Sequence, residues 1–276
     1  MQIQTFNIIK IRKELIKELK DSAKKLGHPP QRREVQNLAM KCYRYFGSFN
    51  KVKKIAGLEI KNVIITKFPK NAFKKDKDLA AIISYITFDG HLYKDLKGFY
   101  YSSKNIKDLK VFDGIVKRKF GLPPRYHLFN SGSRNQTHVI YFFNKIICKF
   151  LVKIGVQKGD KVIQEFNVPN WIFKSKEFSR EYLKIAYLCE GSLNKEKGRK
   201  PRITINTAKC IDIIDSGIEF MNTLRKMLKK FNISSLECHL TKGRIRKRDN
   251  KITKDIRFRI KTEDNDKFIR EIGWLK

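Results

Sequence analysis

Ile82-Ile83-Ser84-Tyr85-Ile86-Thr87-Phe88-Asp89-Gly90 and Leu183-Lys184-Ile185-Ala186-Tyr187-Leu188-Cys189-Glu190-Gly191 are two versions of one nine-residue pattern. Each is an apolar run that closes on one carboxylate and one glycine, and the two acids stand 101 residues apart. A duplicated unit with one acid per copy brings two carboxylates together when the copies pack about a pseudo-twofold axis. Such a duplication must also repeat the elements that follow each copy.

It does. In the first half the helix Asp78 to Asp89 leads to short strands at His91-Leu92-Tyr93 and Gly98 to Ser102, then a helix from Asn105 to Phe120 stopped by Gly121-Leu122-Pro123-Pro124. A hairpin follows, Arg125 to Phe129 and Thr137 to Phe142 around a polar turn, and then a helix from Lys145 to Ile154. In the second half the helix ending at Glu190 precedes strands at Ser192-Leu193 and Arg202 to Asn206 and a helix from Cys210 to Phe231. A hairpin of Leu236 to Lys242 with Thr253 to Lys261 and a last helix, Asn265 to Ile272, complete it. The order αββαββα occurs twice. The fold class predicted is α+β, with units at 76–165 and 179–276, a turn-rich connector at 166–178, and a helical module at 1–75 joined through the basic stretch Lys67–Lys77.

That module has helical periodicity from Ile8 to Leu26, with Ile11, Leu15 and Leu19 near one face, and breakers at Gly27, Pro29 and Pro30. A second helix is predicted to open at Gln31-Arg32-Arg33-Glu34, and a short last one runs from Ser48 to Gly57-Leu58. Residues 1–75 carry 19 basic and 5 acidic residues.

The whole chain has 62 Lys+Arg against 27 Asp+Glu, a formal charge of +35 over 276 residues. An excess of this size points to a polyanionic partner, because each phosphate neutralised releases counterions. No run approaches the roughly 20 apolar residues of a spanning helix, so no membrane role is expected. Cys42, Cys148, Cys189, Cys210 and Cys238 form no C-x-x-C pair, which argues against a zinc module or a disulfide framework.

A helix C-terminus carries partial negative charge, so an acid there is disfavoured until a cation joins it. With Asp89 and Glu190 side by side, hard oxygen ligands and a phosphate would suit Mg²⁺. The strand Arg257-Phe258-Arg259-Ile260-Lys261 alternates basic and apolar residues, placing its charges on one face. Arg244, Arg246 and Arg248 crowd the preceding turn, Arg202 opens another strand, and Arg125, His127, Gln136 and His138 surround the first hairpin.

The two motifs, the αββαββα order and the connector resemble a single-chain LAGLIDADG homing endonuclease over roughly 77–276. The marks Pro30-x-Arg32-Arg33-Glu34, Tyr43-x-x-Phe46-Gly47-Ser48-Phe49-Asn50-Lys51 and Ala56-Gly57-Leu58 resemble the helical repeat that accompanies such enzymes. The resemblance implies two pseudo-symmetric units forming a DNA-binding saddle. It implies a monomeric, site-specific endonuclease that cleaves a long asymmetric double-stranded DNA target and leaves short 3′ overhangs.

In that reading Asp89 and Glu190 are metal ligands and catalytic acids, with Mg²⁺ as cofactor and Mn²⁺ as a substitute. Lys104 and Lys209, each after a second strand, polarise the scissile phosphate, and Ser103 organises water. Arg125, His127, Gln136, His138, Arg202, Arg244, Arg246, Arg248, Arg257 and Arg259, with Arg32, Arg33 and Lys51 of the N-terminal module, contact DNA. Phe88 and Ile185 are bulky for a helix contact that prefers small residues such as Ser84, Ala186 and Cys189.

The expected location is cytoplasmic and nucleoid-associated, or organellar, and not secreted. The ends, without Cys or Ser at the start or His-Asn at the finish, suit a free-standing or intron-encoded protein rather than an intein. Two alternatives share the fold: a maturase that binds intron RNA, and a non-catalytic DNA-binding regulator, for which loss of an acid is expected.

Overall fold

The computed structural model describes residues 2–32, 34–59, 67–130, 136–195, 198 and 200–273. Contacts divide the chain into two compact units, Met1–Ile65 and Thr66–Lys276.

In the first unit, α1 (Gln2–Leu26), α2 (Gln36–Phe46) and α3 (Phe49–Ile55) enclose a small core of Leu15, Leu19, Leu38, Cys42, Val52 and Ala56. Leu15 and Leu19 are one helical turn apart and share a face, as the periodicity predicts. The second helix starts later than its sequence suggests. Glu34 closes a turn instead, its N–H donating to Gln31 O at 3.0 Å and its side chain accepting from Gln31 N at 2.7 Å. Gly47, at φ 75°, ends α2 in the left-handed region that glycine adopts without strain.

The second unit holds α4 (Lys77–Thr87), β1 (Gly90–Leu92), β2 (Phe99–Ser103), α5 (Ile106–Phe120), β3 (Arg125–Asn130), β4 (Gln136–Phe142) and α6 (Lys145–Lys153). A 3₁₀ turn at Lys161–Ile163 and α7 (Asn170–Lys174) form the connection. Then come α8 (Lys176–Glu190), β5 (Gly191–Asn194), β6 (Arg202–Cys210), α9 (Ile214–Lys229), β7 (His239–Leu240), β8 (Arg244–Ile245), β9 (Ile252–Arg259) and α10 (Asn265–Glu271). Both sheets are antiparallel, with strand orders β1-β2-β4-β3 and β5-β6-β9-β7, and β8 pairs with β9. The duplication read from the sequence is therefore a duplication of topology. The short β8 and α7 are additions that the hydrophobic pattern does not announce.

The segment before α4 belongs to this second unit. Ala72 is fully buried in its core, and the buried Lys119 ammonium donates to Asn71 O, Lys74 O and Asp76 Oδ2 at 2.7, 2.6 and 2.5 Å. The stretch read as a linker at the end of a 1–75 module is thus docked on the main core by a satisfied buried charge.

The motif helices α4 and α8 lie flank to flank. Eight consecutive α4 residues, Leu79 to Ile86, are buried, and Ser84 Oγ donates across the contact to Tyr182 O at 2.7 Å. The bulk of Phe88 is taken up by rings of the other half, 5.9 Å from Tyr182 of α8 and 6.0 Å from Phe220.

The motif glycines are not left-handed helix stops. They permit close approach: a Cβ on Gly90 would lie 2.6 Å from Tyr100 O and 2.7 Å from Tyr85 O, and one on Gly191 would strike Tyr187 O. Gly90→Ala is expected to destabilise the fold by about 1–3 kcal/mol. Gly114→Ala, mid-helix in α5 with room for a methyl, is expected to stabilise it by about 0.5–1 kcal/mol. Equilibrium denaturation of the two variants checks the opposite signs.

Candidate active site

The two acids converge where α4 and α8 end. Asp89 follows the last turn of α4 and Glu190 is the last residue of α8, both half-buried. The Cys189 thiol lies against Asp89 and is held well above its ordinary pKa, first by burial and then by the Asp89 charge. The Asp89 carbonyl accepts from Ser102 Oγ at 2.9 Å and Ser102 N at 3.3 Å, so β2 holds the turn that carries the acid.

A cation that sequence reasoning missed sits among these groups. Lys161 Nζ, from the connector, donates to Ile86 O, Thr87 O, Phe88 O and Gly90 O at 3.0, 2.7, 2.6 and 2.8 Å. These are the carbonyls a helix end leaves unpaired and partially negative. Burial pushes the ammonium down to about 8, while Asp89 and then Glu190 pull it back up. Nothing in one sequence separates this lysine from its many neighbours.

The expected lysine pair is not a pair. Gly90 is opposite Tyr101, and Gly191 is opposite Ile205. In that common register Lys104 corresponds to Ala208, and Lys209 lies one residue further on. A one-residue slip in a strand reverses the face a side chain takes. Lys104 is exposed just past β2, whereas Lys209 has no exposed surface. Lys209 Nζ donates to Lys161 O at 2.7 Å and Gln164 O at 2.6 Å and lies 3.9 Å from the Phe166 ring centroid.

A catalytic role for Lys209 on a phosphate does not survive that burial; the residue locks the connector that carries Lys161. The water-organising role expected of Ser103 is likewise misplaced, since Ser103 Oγ donates to Asp108 Oδ2 at 2.8 Å and Ser102 takes the place beside Asp89. Its register equivalent in the second half, Asn206, is exposed.

Burial holds Lys209 at about 8 against an ordinary 10.5. Between these values the folded state binds fewer protons than the unfolded one, so this contribution to stability grows as pH rises and is lost as pH falls through 8. The stability difference between the unaltered chain and Lys209→Met should therefore increase by about 1–2 kcal/mol from pH 7.5 to 9.5. Urea titrations at the two pH values measure it.

The basic residues divide into tied and open sets. Arg246 donates to Asp160 Oδ2 at 2.6 Å and to Asp249, and Arg248 lies 3.1 Å from the same Asp160 oxygen while remaining 73% exposed. Arg246 therefore clamps the connector, and the expectation that it contacts DNA gives way to a mostly buried ion pair. Arg244 is exposed and paired with Asp255 at 2.9 Å. Arg257 and Arg259 are exposed at alternate positions of β9, as their spacing predicts. Arg202 and His138 are half-buried, and Arg125 and His127 are exposed. In the first unit Arg32 and Lys51 are exposed. Arg33 and the Gln136 side chain lie outside the described residues.

The donor set fits a hard divalent ion. Lys161 already engages the carbonyls at the end of α4, so the carboxylates of Asp89 and Glu190 are the oxygen donors that could hold one, and among the described residues no cluster of three or more His, Cys, Asp or Glu could hold a metal. Two carboxylates completed by phosphate and water are the usual Mg²⁺ arrangement. Among the described residues no helix is long and apolar enough to cross a membrane.

Known proteins share parts of this chain. Residues 11–59 match the homing endonuclease associated repeat. The repeat thus covers most of α1 and all of α2 and α3.

A stretch of 172 residues is 28% identical to the replication factor C small subunit of Methanocaldococcus jannaschii, covering 56% of this chain and 9% of that protein. Another of 170 residues is 25% identical to the tRNA-splicing ligase RtcB of Methanopyrus kandleri, covering 57% and 17%. The chain therefore spans less than a fifth of either relative. Among solved structures, the homing endonuclease I-DmoI in complex with DNA and Mn is 12% identical with a TM-score of 0.45, over 75% of this chain and 99% of that one. The N-terminal LAGLIDADG domain of DUF199/WhiA is 14% identical with a TM-score of 0.44, over 79% and 96%. These likenesses are distant, and the fold description rests on the element order and registers above.

Proposed function

We propose that this protein is a LAGLIDADG-type, site-specific DNA endonuclease that cuts both strands of a long asymmetric duplex by metal-dependent phosphodiester hydrolysis, leaving short 3′ overhangs. The observation that carries this reading is the convergence of Asp89 and Glu190 at the paired ends of α4 and α8. The N-terminal repeat supports it. So does the recurrence of related segments inside two proteins with unrelated names, as expected of a coding element that moves between genes.

Asp89 and Glu190 would hold Mg²⁺, which supplies an activated water and stabilises the departing 3′ oxygen. Ser102 fixes the Asp89 main chain, and Lys161 fixes the α4 terminus beneath it. Exposed arginines of β9, with Arg202, take phosphates and base edges of the second half-site, and unlike halves match an asymmetric target. The basic first unit adds affinity that falls steeply with salt. Retention of both acids favours this reading over a regulator built on an inactive copy.

The test is selection of cleaved molecules from a randomised duplex library with Mg²⁺ or EDTA. Recovery of one long asymmetric sequence, cut only with Mg²⁺ and with 3′ overhangs, supports the proposal. Tight, selective duplex binding with no Mg²⁺-dependent cut sinks it.

A further inference from the structure

The motif helices begin at the end of the unit farthest from the acids. Lys75 directly precedes Asp76, which caps α4 by accepting from Leu79 N at 2.9 Å, and α7 runs into α8 through Ser175. At the 1.5 Å rise of a helix, the 15 residues of α8 put this end about 21 Å from Glu190. A duplex lying over the acids leaves it uncovered.

A cleft of about 700 Å³ opens here, between the end of α6 and α7. Its floor is apolar and is made by Phe150, Ile154, Pro169 and Trp171. Trp171 Nε1 donates to Ile154 O at 3.2 Å. Gly155, at φ 108°, lets the chain after α6 close on Pro169, where a Cβ would lie 3.0 Å from Cγ. The cleft is therefore preformed, which lowers the cost of filling it. Phe73, 45% exposed, extends the apolar surface beside it, its ring 5.0 Å from that of Phe150.

The rim is made of lysines: Lys75, Lys153 and Lys174 are all exposed. Among the described residues that line the cleft there is no Asp or Glu. Of the flanking acids, Asp76 is spent on Lys119 and the α4 cap, and Glu177, in the first turn of α8, lies outside the lining. An apolar floor under ammonium groups complements an apolar side chain flanked by carboxylates. Nucleic acid fits less well. Lys75 stands over the Trp171 ring at 5.7 Å and Phe73 meets Phe150 edge-on, so neither ring is a bare platform for stacked bases. The indole N–H is already used, which leaves Asn170 as the uncharged polar side chain among the described lining to read a base edge.

We propose that this cleft docks an acidic segment of a partner protein, with one apolar side chain seated between Phe150 and Trp171 and its carboxylates on Lys75, Lys153 and Lys174. Binding there leaves Asp89 and Glu190 free and needs neither a metal nor a cut, so it stands apart from the endonuclease reading.

The experiment titrates the full chain, at physiological salt, into labelled Glu-rich helical peptides and reads anisotropy. Each peptide carries one Leu or one Phe among its glutamates, and a companion has Ser there at the same net charge. At least one anchored peptide should bind about tenfold more tightly than its Ser companion. Lys153→Glu/Lys174→Glu should weaken that peptide about tenfold or more. Lys226→Glu/Lys229→Glu, which removes the same charge from exposed sites on α9, should keep it. Melting curves verify that both variants fold. Equal binding of every anchored peptide and its Ser companion, equal losses in the two variants, or release of the peptide by one equivalent of duplex DNA would overturn the site. A single-stranded RNA that loses more affinity than the peptide in Lys153→Glu/Lys174→Glu would overturn the assignment to a protein partner.

Discussion

Asp89→Asn and Glu190→Gln are each expected to lower the rate of cleavage at least about a thousandfold, equivalent to roughly 4 kcal/mol of barrier, without weakening duplex binding. Both substitutions keep the shape of the side chain and remove only its charge. The turn carrying residue 89 should persist, because Ser102 bonds to the main-chain oxygen of Asp89 and not to its carboxylate. Binding should hold or tighten slightly, since a negative charge facing phosphate has gone. Divalent ions should lose affinity for each variant, a change that calorimetry reads without any turnover. Near-normal cutting by both variants would remove the pair from the chemistry.

Lys161→Met is the second large effect. Four carbonyls at the end of α4 lose their donor, and burial denies them water. The half-buried acids lose the ammonium whose charge acts on both. Breaking a buried charge arrangement of this kind costs about 3–5 kcal/mol. In a chain of this size the melting temperature should fall by roughly 10 °C. Divalent ions should then stabilise the variant more than the unaltered chain, because the repulsion between Asp89 and Glu190 is no longer offset. Lys161→Arg should rescue poorly, since a planar fork cannot serve four converging carbonyls as a compact ammonium does. A melting temperature within a degree of the unaltered chain would show that the carbonyls find other partners.

The sequence carried the fold because its signals were periodic and repeated. The two motif runs, the β9 alternation and the breakers Gly121 to Pro124 each fall where an element begins or ends. Asp89 and Glu190 were readable for the same reason, each closing a copy of one pattern. Lys104 and Lys209 look equivalent as text and are not, because equivalence is set by which residue faces the motif glycine across the sheet. That pairing puts Tyr101 and Ile205 in register and sends the two lysines to opposite faces. Lys161 lay in a connector without periodicity, and its four partners are main-chain oxygens that no residue type announces. The Lys67–Lys77 segment looked like a linker because its lysines are visible in the sequence and its anchor, Lys119, is far along the chain.

Lys161 holds the end of α4. The carbonyl cage it fills is built by the first half, from the last turn of α4 to the first residue of β1, while its charge is felt by both Asp89 and Glu190. Under the proposed endonuclease reading, unlike surroundings for the two acids predict unequal rates on the two strands, with a duplex nicked first on one of them. The order of strand scission would then be written into a single side chain of the peptide that joins the halves.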